Sequence, residues 1–473
     1  MVKYASQRVA YPYFVIALFL FGAQIIVGLW LLANYFLTIP QGIVDVLPFS
    51  TARAIHTNLL VLWMLLGFMG GAYFMVPEEA ERELFSAKTA LVQLGLLVFT
   101  GLAALIGFVA GWSEGRPLLE IPTPLDVLIV LAALIFLFNL GLTMILARHW
   151  TVIQGTLLGG LVFLALLYLF DLPFYRNLAL DWYYWWWIIH LWVEGAWELV
   201  AGAILAWVLL RITGVPRQLV EKWLYVEIGL FLFTGIAGTG HHYYWLGAPS
   251  YWLWIGGIFS ALEPVPIILM VIDTLHYVRR RRFGRLSVAP GKQESVTPSG
   301  AEGRQLTPAN PLVLTYAVGC AIYHLLGAGV WGIVHTLPQV NRFTHGSQVT
   351  VSHGHLAFFG AYALLNLTVF YFALPRLRGV ERFSERRGRF SFWAMCLAMF
   401  GMGLGWGVAG VIQTYLERVL GLGYMTAQGY MRLWFAIVWA MAIVFTTGVF
   451  TTIADLLSLR PAQAPAEAAE RPA

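Results

Sequence analysis

Residues 182–210 read WYYWWWIIHLWVEGAWELVAGAILAWVLL, and the only charged side chains among them are Glu194 and Glu198. A helix needs about 20 apolar residues to cross the hydrocarbon core of a bilayer, so this stretch is long enough to span. Its opening cluster of Trp and Tyr suits a membrane–water interface. Runs of the same kind recur at 11–37, 54–76, 88–112, 125–147, 152–170, 223–242, 250–278, 312–336, 349–374, 390–413 and 430–457. Lipid offers the backbone no hydrogen-bond partners, so each run must satisfy its own peptide groups as a helix. The reading is an all-α integral membrane protein of about twelve transmembrane helices, forming one membrane domain over residues 1–459. No small-residue cleavage pattern follows the first run, which reads as a helix rather than a signal peptide.

Composition agrees. Of 473 residues, 59% are apolar and 11% charged, against about a quarter charged in soluble domains. That balance excludes a cytosolic enzyme, a disordered chain and a nucleic-acid binder. The 29 Lys and Arg divide unequally between alternating loops, 23 on the side of the N-terminus and six on the other. Basic loops face the cytoplasm, so both termini are expected there. The stretch 279–311 opens with four arginines and reads as a flexible, basic cytoplasmic loop; the Ala/Pro/Glu tail 460–473 reads as disordered. Cys320 and Cys396 lie far apart in apolar runs and make neither a disulfide framework nor a CxxCH haem attachment.

With that topology six histidines fall at one depth, near the outer side: His56, His190, His241, His242, His353 and His355. Polar groups within a membrane are costly and mark function. A shared metal or haem site explains the alignment better than unrelated buried histidines. His190 and Glu194 are four apart and share a helix face. His241 and His242 are adjacent, and converge only if the helix end unwinds. Three imidazoles and one carboxylate suit iron better than soft Cu(I). His353 and His355 are about 200° apart around a helix, so they serve two different groups on opposite faces. Glu198 and Glu263 are also expected at membrane depth, where a carboxyl must be paired, metal-bound or protonated; handling protons near the metal is the favoured role. His149 and His276 read as interface residues, His335 as support for a loop or propionate, and His324 as an interhelical hydrogen-bonding group. The glycine clusters 327/329 and 401/403/405/407 read as close helix packing.

These residues stand in segments that resemble the large catalytic subunit of bacterial cytochrome c-dependent nitric oxide reductases, a branch of the haem-copper oxidase superfamily. The segments are Arg53-Ala-Ile-His56, His190-Leu-Trp-Val-Glu194-Gly-Ala-Trp-Glu198, Gly238-Thr-Gly-His241-His242-Tyr-Tyr-Trp, Phe259-Ser-Ala-Leu-Glu263-Pro and Thr344-His-Gly-Ser-Gln-Val-Thr-Val-Ser-His353-Gly-His355. The resemblance implies that His56 and His355 are the axial ligands of low-spin haem b and that His353 holds high-spin haem b3. It implies that His190, His241, His242 and Glu194 bind a non-haem iron. Glu198 and Glu263 would tune that iron and deliver protons, and Arg53 and His345 would meet haem propionates. It also implies a calcium near the propionates, held by two acids in the loop after the third span. Here Glu120 is the second of these, while Pro117 stands where the first is expected, which puts the calcium in doubt. The implied activity is reduction of two NO to N2O and water. The implied partners are a membrane-anchored c-type cytochrome subunit and, upstream of it, a soluble cytochrome c or cupredoxin. Two rivals are weighed against this. Oxygen-reducing oxidases with a His–Tyr crosslink place a tyrosine four residues after the sixth-span histidine, where this chain has Glu194. A proton-coupled transporter would bind no haem.

Overall fold

The structure is a computed structural model describing residues 2–244, 246–282, 310–380 and 385–459. Most of the expected basic loop 279–311 and the tail 460–473 lie outside them. Long helices in chain order are α1 (Ala5–Phe36), α2 (Phe49–Glu79), α3 (Ala87–Val109), α4 (Thr123–Ile145), α5 (Val152–Asp171), α6 (Leu178–Thr213), α7 (residues 217–242), α8 (Ser250–Arg281), α9 (Pro311–Thr336), α10 (Gln348–Leu377), α11 (Glu385–Val419) and α12 (Tyr424–Leu457). Eleven helices among the described residues are long and apolar enough to span, one fewer than the twelve expected. The difference is α7. Its first half carries Arg217, Glu221, Lys222 and Glu227, and its later turns change winding, to π over Phe231–Gly235 and to 3-10 over Thr239–His242.

Local chemistry sets the helix starts. Thr151 caps α5 in a reciprocal box: its hydroxyl accepts from the Gln154 amide, and the Gln154 side chain accepts from the Thr151 amide. Asn310 accepts from the Val313 amide at the start of α9. α6 opens on Asn177, which accepts from Ala179 and Leu180. α8 is interrupted between Ser260 and Val265. Pro264 lies in the break, where it lacks the N–H that would continue the ladder, and so does Glu263.

Burial sorts the helices into layers. The most apolar windows of α6 and α10 are 83% buried and that of α2 72%, against 33% for α12. These three are therefore the inner helices, while outer ones such as α1, α3, α4 and α12 turn large apolar side chains outward, as a lipid-facing surface requires. Glycines let backbones touch at two seams. A Cβ on Gly327 of α9 would lie 2.4 Å from the Ala357 nitrogen, and one on Gly360 of α10 would lie 2.3 Å from the His324 nitrogen. At the second seam a Cβ on Gly256 of α8 would lie 2.2 Å from the His241 nitrogen. Rigid backbone cannot yield there as a side chain can. Gly256→Ala is expected to destabilise the fold by about 1–3 kcal/mol, read as a lower Tm of the purified protein; an unchanged Tm would show that α7 and α8 part at little cost.

Candidate metal centre

Segments of four helices depart from α geometry around one region. π turns occupy Trp192–Ala196 in α6, Phe231–Gly235 in α7, Leu325–Trp331 in α9 and Phe359–Ala363 in α10. Such turns add a residue locally and occur frequently at functional sites. Two of them are tied together, Tyr362 donating through its hydroxyl to the Val193 carbonyl at 2.5 Å.

Glu194 sits in the α6 π turn and faces three imidazoles. Its Oε2 is 3.3 Å from His190 Nδ1 and 3.8 Å from His241 Nε2, and its Oε1 is 3.5 Å from His242 Nε2. The 3-10 turn Thr239–His242 brings the adjacent rings of His241 and His242 to 4.1 Å between centroids. Trp186 stacks flat on His242 at 4.5 Å, which fixes that ring. Among the described residues this is the one group of three or more His, Cys, Asp or Glu side chains whose donor atoms all fall within 4.8 Å of one another. His190 Nδ1 and Nε2, His241 Nδ1 and His242 Nε2 are buried without hydrogen-bond partners. Buried polar atoms left unpaired cost about 1–3 kcal/mol each. A metal ion removes that cost for the nitrogens that face it. Bonds of about 2.1 Å from one tetrahedral ion set ligand atoms about 3.4 Å apart, and the observed separations are of this size.

Glu263 comes to the same place from the break in α8. Its Oε1 lies 3.9 Å from His190 Nε2. Ser260, to which its position in the chain draws no notice, has its hydroxyl 3.2 Å from both Glu194 Oε2 and Glu263 Oε2. Glu198 points elsewhere: its Oε1 is 2.9 Å from His324 Nε2 on α9. His324 is thus the partner of a carboxylate, a pairing that residue spacing alone could not reveal.

The remaining histidines form two further arrangements. His56 on α2 and His355 on α10 face each other with centroids 6.3 Å apart and rings tilted by 29°. Two metal–nitrogen bonds of about 2.1 Å with the ring radii added span about 6.4 Å, so the gap fits one metal between two imidazoles. Each ring turns its Nδ1 to a carbonyl, His56 to Gln24 at 3.0 Å and His355 to Val351 at 2.9 Å. Donation there leaves the Nε2 lone pair for a metal. Gly28 leaves room for the His56 ring, since a Cβ would lie 2.8 Å from His56 Cε1. His353 faces away from this pair, with its Nδ1 3.0 Å from the carbonyl of Gly327 in the α9 π turn. His335 lies beside it at 5.7 Å, both its nitrogens 3.2 Å from threonine hydroxyls, those of Thr344 and Thr350.

At the arginine-poor end Glu120 is buried, 3.4 Å from Arg53 and accepting from Asn58 at 2.8 Å. Burial pushes its carboxyl up, and the Arg53 guanidinium and Asn58 amide offset part of that. Glu120 belongs to no cluster of three or more donors among the described residues. His345 packs near Trp186 and Tyr244; burial, with His242 and the Arg418 guanidinium nearby, pushes it down to about 4. His149 is exposed, 3.6 Å from Glu81.

Comparison with known proteins places the chain. Residues 8–450 match the family described as cytochrome C and quinol oxidase polypeptide I. The B component of the nitric oxide reductase of Stutzerimonas stutzeri is 41% identical over 470 residues, covering 95% of this chain and 94% of that one. A heme-copper terminal oxidase solved as a dimer shares the fold, with a TM-score of 0.71 at 16% identity over 96% of this chain and 84% of that one. Proteins of this kind hold haem and metal cofactors, cross the membrane many times and work alongside other subunits. The chain belongs to the cytochrome c and quinol oxidase polypeptide I family, among its nitric oxide reductases.

Proposed function

We propose that this chain reduces two NO, with two electrons and two protons, to N2O and water. The observation that carries the reading is Glu194, a carboxylate set against three imidazoles four residues after His190. The 41% identity to a nitric oxide reductase component over nearly the whole chain supports it. His190, His241, His242 and Glu194 would hold a non-haem iron, His353 a high-spin haem b3, and His56 with His355 a low-spin haem b. Bound there, the haem iron and the non-haem iron would supply redox and Lewis-acid chemistry for joining two NO.

The chain's own residues do the rest. His56 and His355, facing each other between α2 and α10, would hold a haem suited to electron transfer. The apolar interior of the helix bundle would admit NO from the bilayer without a polar channel. The Ser260 hydroxyl has one hydrogen and two carboxyl neighbours, so it can satisfy both contacts only when one of those carboxyls donates. Glu263 is the better holder of that proton, since Glu194 faces the metal. A proton at Glu263 Oε2 can then move through Ser260 Oγ to Glu194 Oε2.

The arginine-rich end with both termini would be cytoplasmic, and the iron centre would lie toward the periplasm, with Arg53 and His345 near the haem propionates. Electrons would come from a membrane-anchored c-type cytochrome subunit fed by a soluble cytochrome c or cupredoxin. The loop after α3 carries Glu114, which is engaged with Thr123, and Glu120, which is engaged with Arg53 and Asn58, and no step above depends on a calcium. Metal and haem analysis together with an NO electrode tests the reading. Two haems and one non-haem iron per chain, with N2O formed from NO, are expected. Copper near one per chain without non-haem iron, and oxygen as the preferred substrate, would overturn it in favour of an oxidase.

A further inference from the structure

We propose that Tyr362 is a positioning residue of the metal centre: its hydroxyl holds the peptide unit that precedes Glu194, and so sets the direction from which that carboxylate meets the metal. The inference rests on the proposed reading of Glu194 as a metal ligand.

Its starting point is a carbonyl released from its own helix. In an α-helix the Val193 carbonyl accepts from the amide four residues on, that of Trp197. In α6 the Trp197 amide donates instead to the Trp192 carbonyl, five residues back. That bond makes the π turn, and it takes away the helical partner of the Val193 carbonyl. Backbone carbonyls inside a protein need a donor from somewhere. Tyr362 supplies one from α10, its hydroxyl 2.5 Å from the Val193 oxygen. The Val193 carbonyl and the Glu194 amide belong to one planar unit. Holding the oxygen therefore holds the plane from which Glu194 departs.

Tyr362 can act as a strut because it is itself held. It is 3% exposed, and its ring packs edge-on against Trp197 at 5.0 Å and Phe68 at 6.0 Å. Asn366 donates to its backbone carbonyl at 3.1 Å. Gly360, in the same turn of α10, abuts α9 so closely that a Cβ there would lie 2.3 Å from the carbonyl carbon of Tyr323. The α6 turn is restrained from the other side as well. A Cβ on Gly195 would lie 2.5 Å from Phe231 Cε2, so the turn is gripped between a ring of α7 and a hydroxyl of α10.

The grip falls where the cluster is most sensitive to winding. His190 lies in the α-helical part of α6 and Glu194 in the turn, so the 3.3 Å between His190 Nδ1 and Glu194 Oε2 depends on how the turn is wound. Ser260 holds Glu194 at its carboxyl end, and Tyr362 holds it at its backbone end. Without the Tyr362 hydroxyl the Val193 carbonyl competes with that of Trp192 for the Trp197 amide. The turn then loosens in the segment that carries the ligand, and a ligand that is poorly oriented binds its metal less tightly.

The test uses the purified, haem-loaded protein and Tyr362→Phe, which keeps the ring and removes the hydroxyl. Tyr316→Phe is the control, since Tyr316 also donates to a carbonyl, that of Gly388 at 3.0 Å, and lies outside the metal cluster. Non-haem iron is measured after equilibration with graded chelator, and its midpoint potential by redox titration followed by EPR. Tyr362→Phe is expected to bind iron about 10–100-fold more weakly, the scale for losing a partner that orients a ligand, with its haem spectrum unchanged. The potential of the iron is expected to rise, because a misaligned carboxylate stabilises the ferric ion less. Tyr316→Phe is expected to change neither. Wild-type affinity and potential in Tyr362→Phe would overturn the proposal, and so would an equal loss in Tyr316→Phe, which would mark a general loosening. If the centre carries copper, the same loss is read on copper and the iron assignment alone fails. If affinity falls as expected while no form reduces NO, the positioning role stands and the assigned reaction fails.

Discussion

Replacing His190 by alanine is expected to abolish NO reduction and remove the non-haem iron while both haems remain. The side chain is fully buried, its Nδ1 is 3.3 Å from Glu194 and its Nε2 is 3.9 Å from Glu263, so it joins the two carboxylates that flank the site. Without it, Glu194 keeps two imidazoles from one turn of α7, and the set no longer surrounds an ion. Loss of a residue that merely orients a metal ligand already costs about 10–100-fold in metal affinity or activity, and loss of a direct ligand exceeds that. Iron content by elemental analysis and haem content by absorption read the two effects separately. Retained iron with near-normal turnover would take His190 out of the centre.

His56→Ala is expected to act at the other arrangement. The low-spin haem spectrum should disappear and electron delivery should fall by at least about a hundredfold, because the 6.3 Å ring pair is then a single imidazole. The non-haem iron should stay, since no atom of His56 belongs to that cluster. An external imidazole can enter the space left and restore part of the spectrum. A low-spin spectrum that survives both His56→Ala and His355→Ala would place the haem elsewhere.

Much of this arrangement is legible in the chain itself. Apolar runs of span length give the helices, because lipid leaves the backbone no alternative. Histidines and glutamates inside those runs stand out because so few polar residues occur there. The cluster residues His190, Glu194, His241 and His242 are of this kind. The helix count is harder to read, since α7 mixes charged residues with unusual winding. Four features are legible only in part or not at all. Ser260 is an ordinary serine until the break in α8 sets it between two carboxylates. His324 reads as an interhelical hydrogen-bonding group, but only the azimuth that turns Glu198 toward α9 names its partner. Glu227 is the one charged residue of the run 223–242 and stands out there, but nothing in the residue pattern announces its burial against Gly202. The π turns leave no residue pattern, because they are decided by how neighbouring helices press on the backbone.

Those wide turns have a consequence for how the chain tolerates length changes. Each holds one residue beyond the α count, and in Leu325–Trp331 the carbonyl of Gly327 meets His353. Deleting that extra residue would let ordinary winding close over the turn with the flanking faces nearly in phase, but the backbone inside the turn would be reshaped. The Gly327 carbonyl would then leave the place where it meets His353. A deletion elsewhere in these helices has no surplus residue to absorb it and would rotate one side by about 100° relative to the other, so length changes should be borne in the connecting loops.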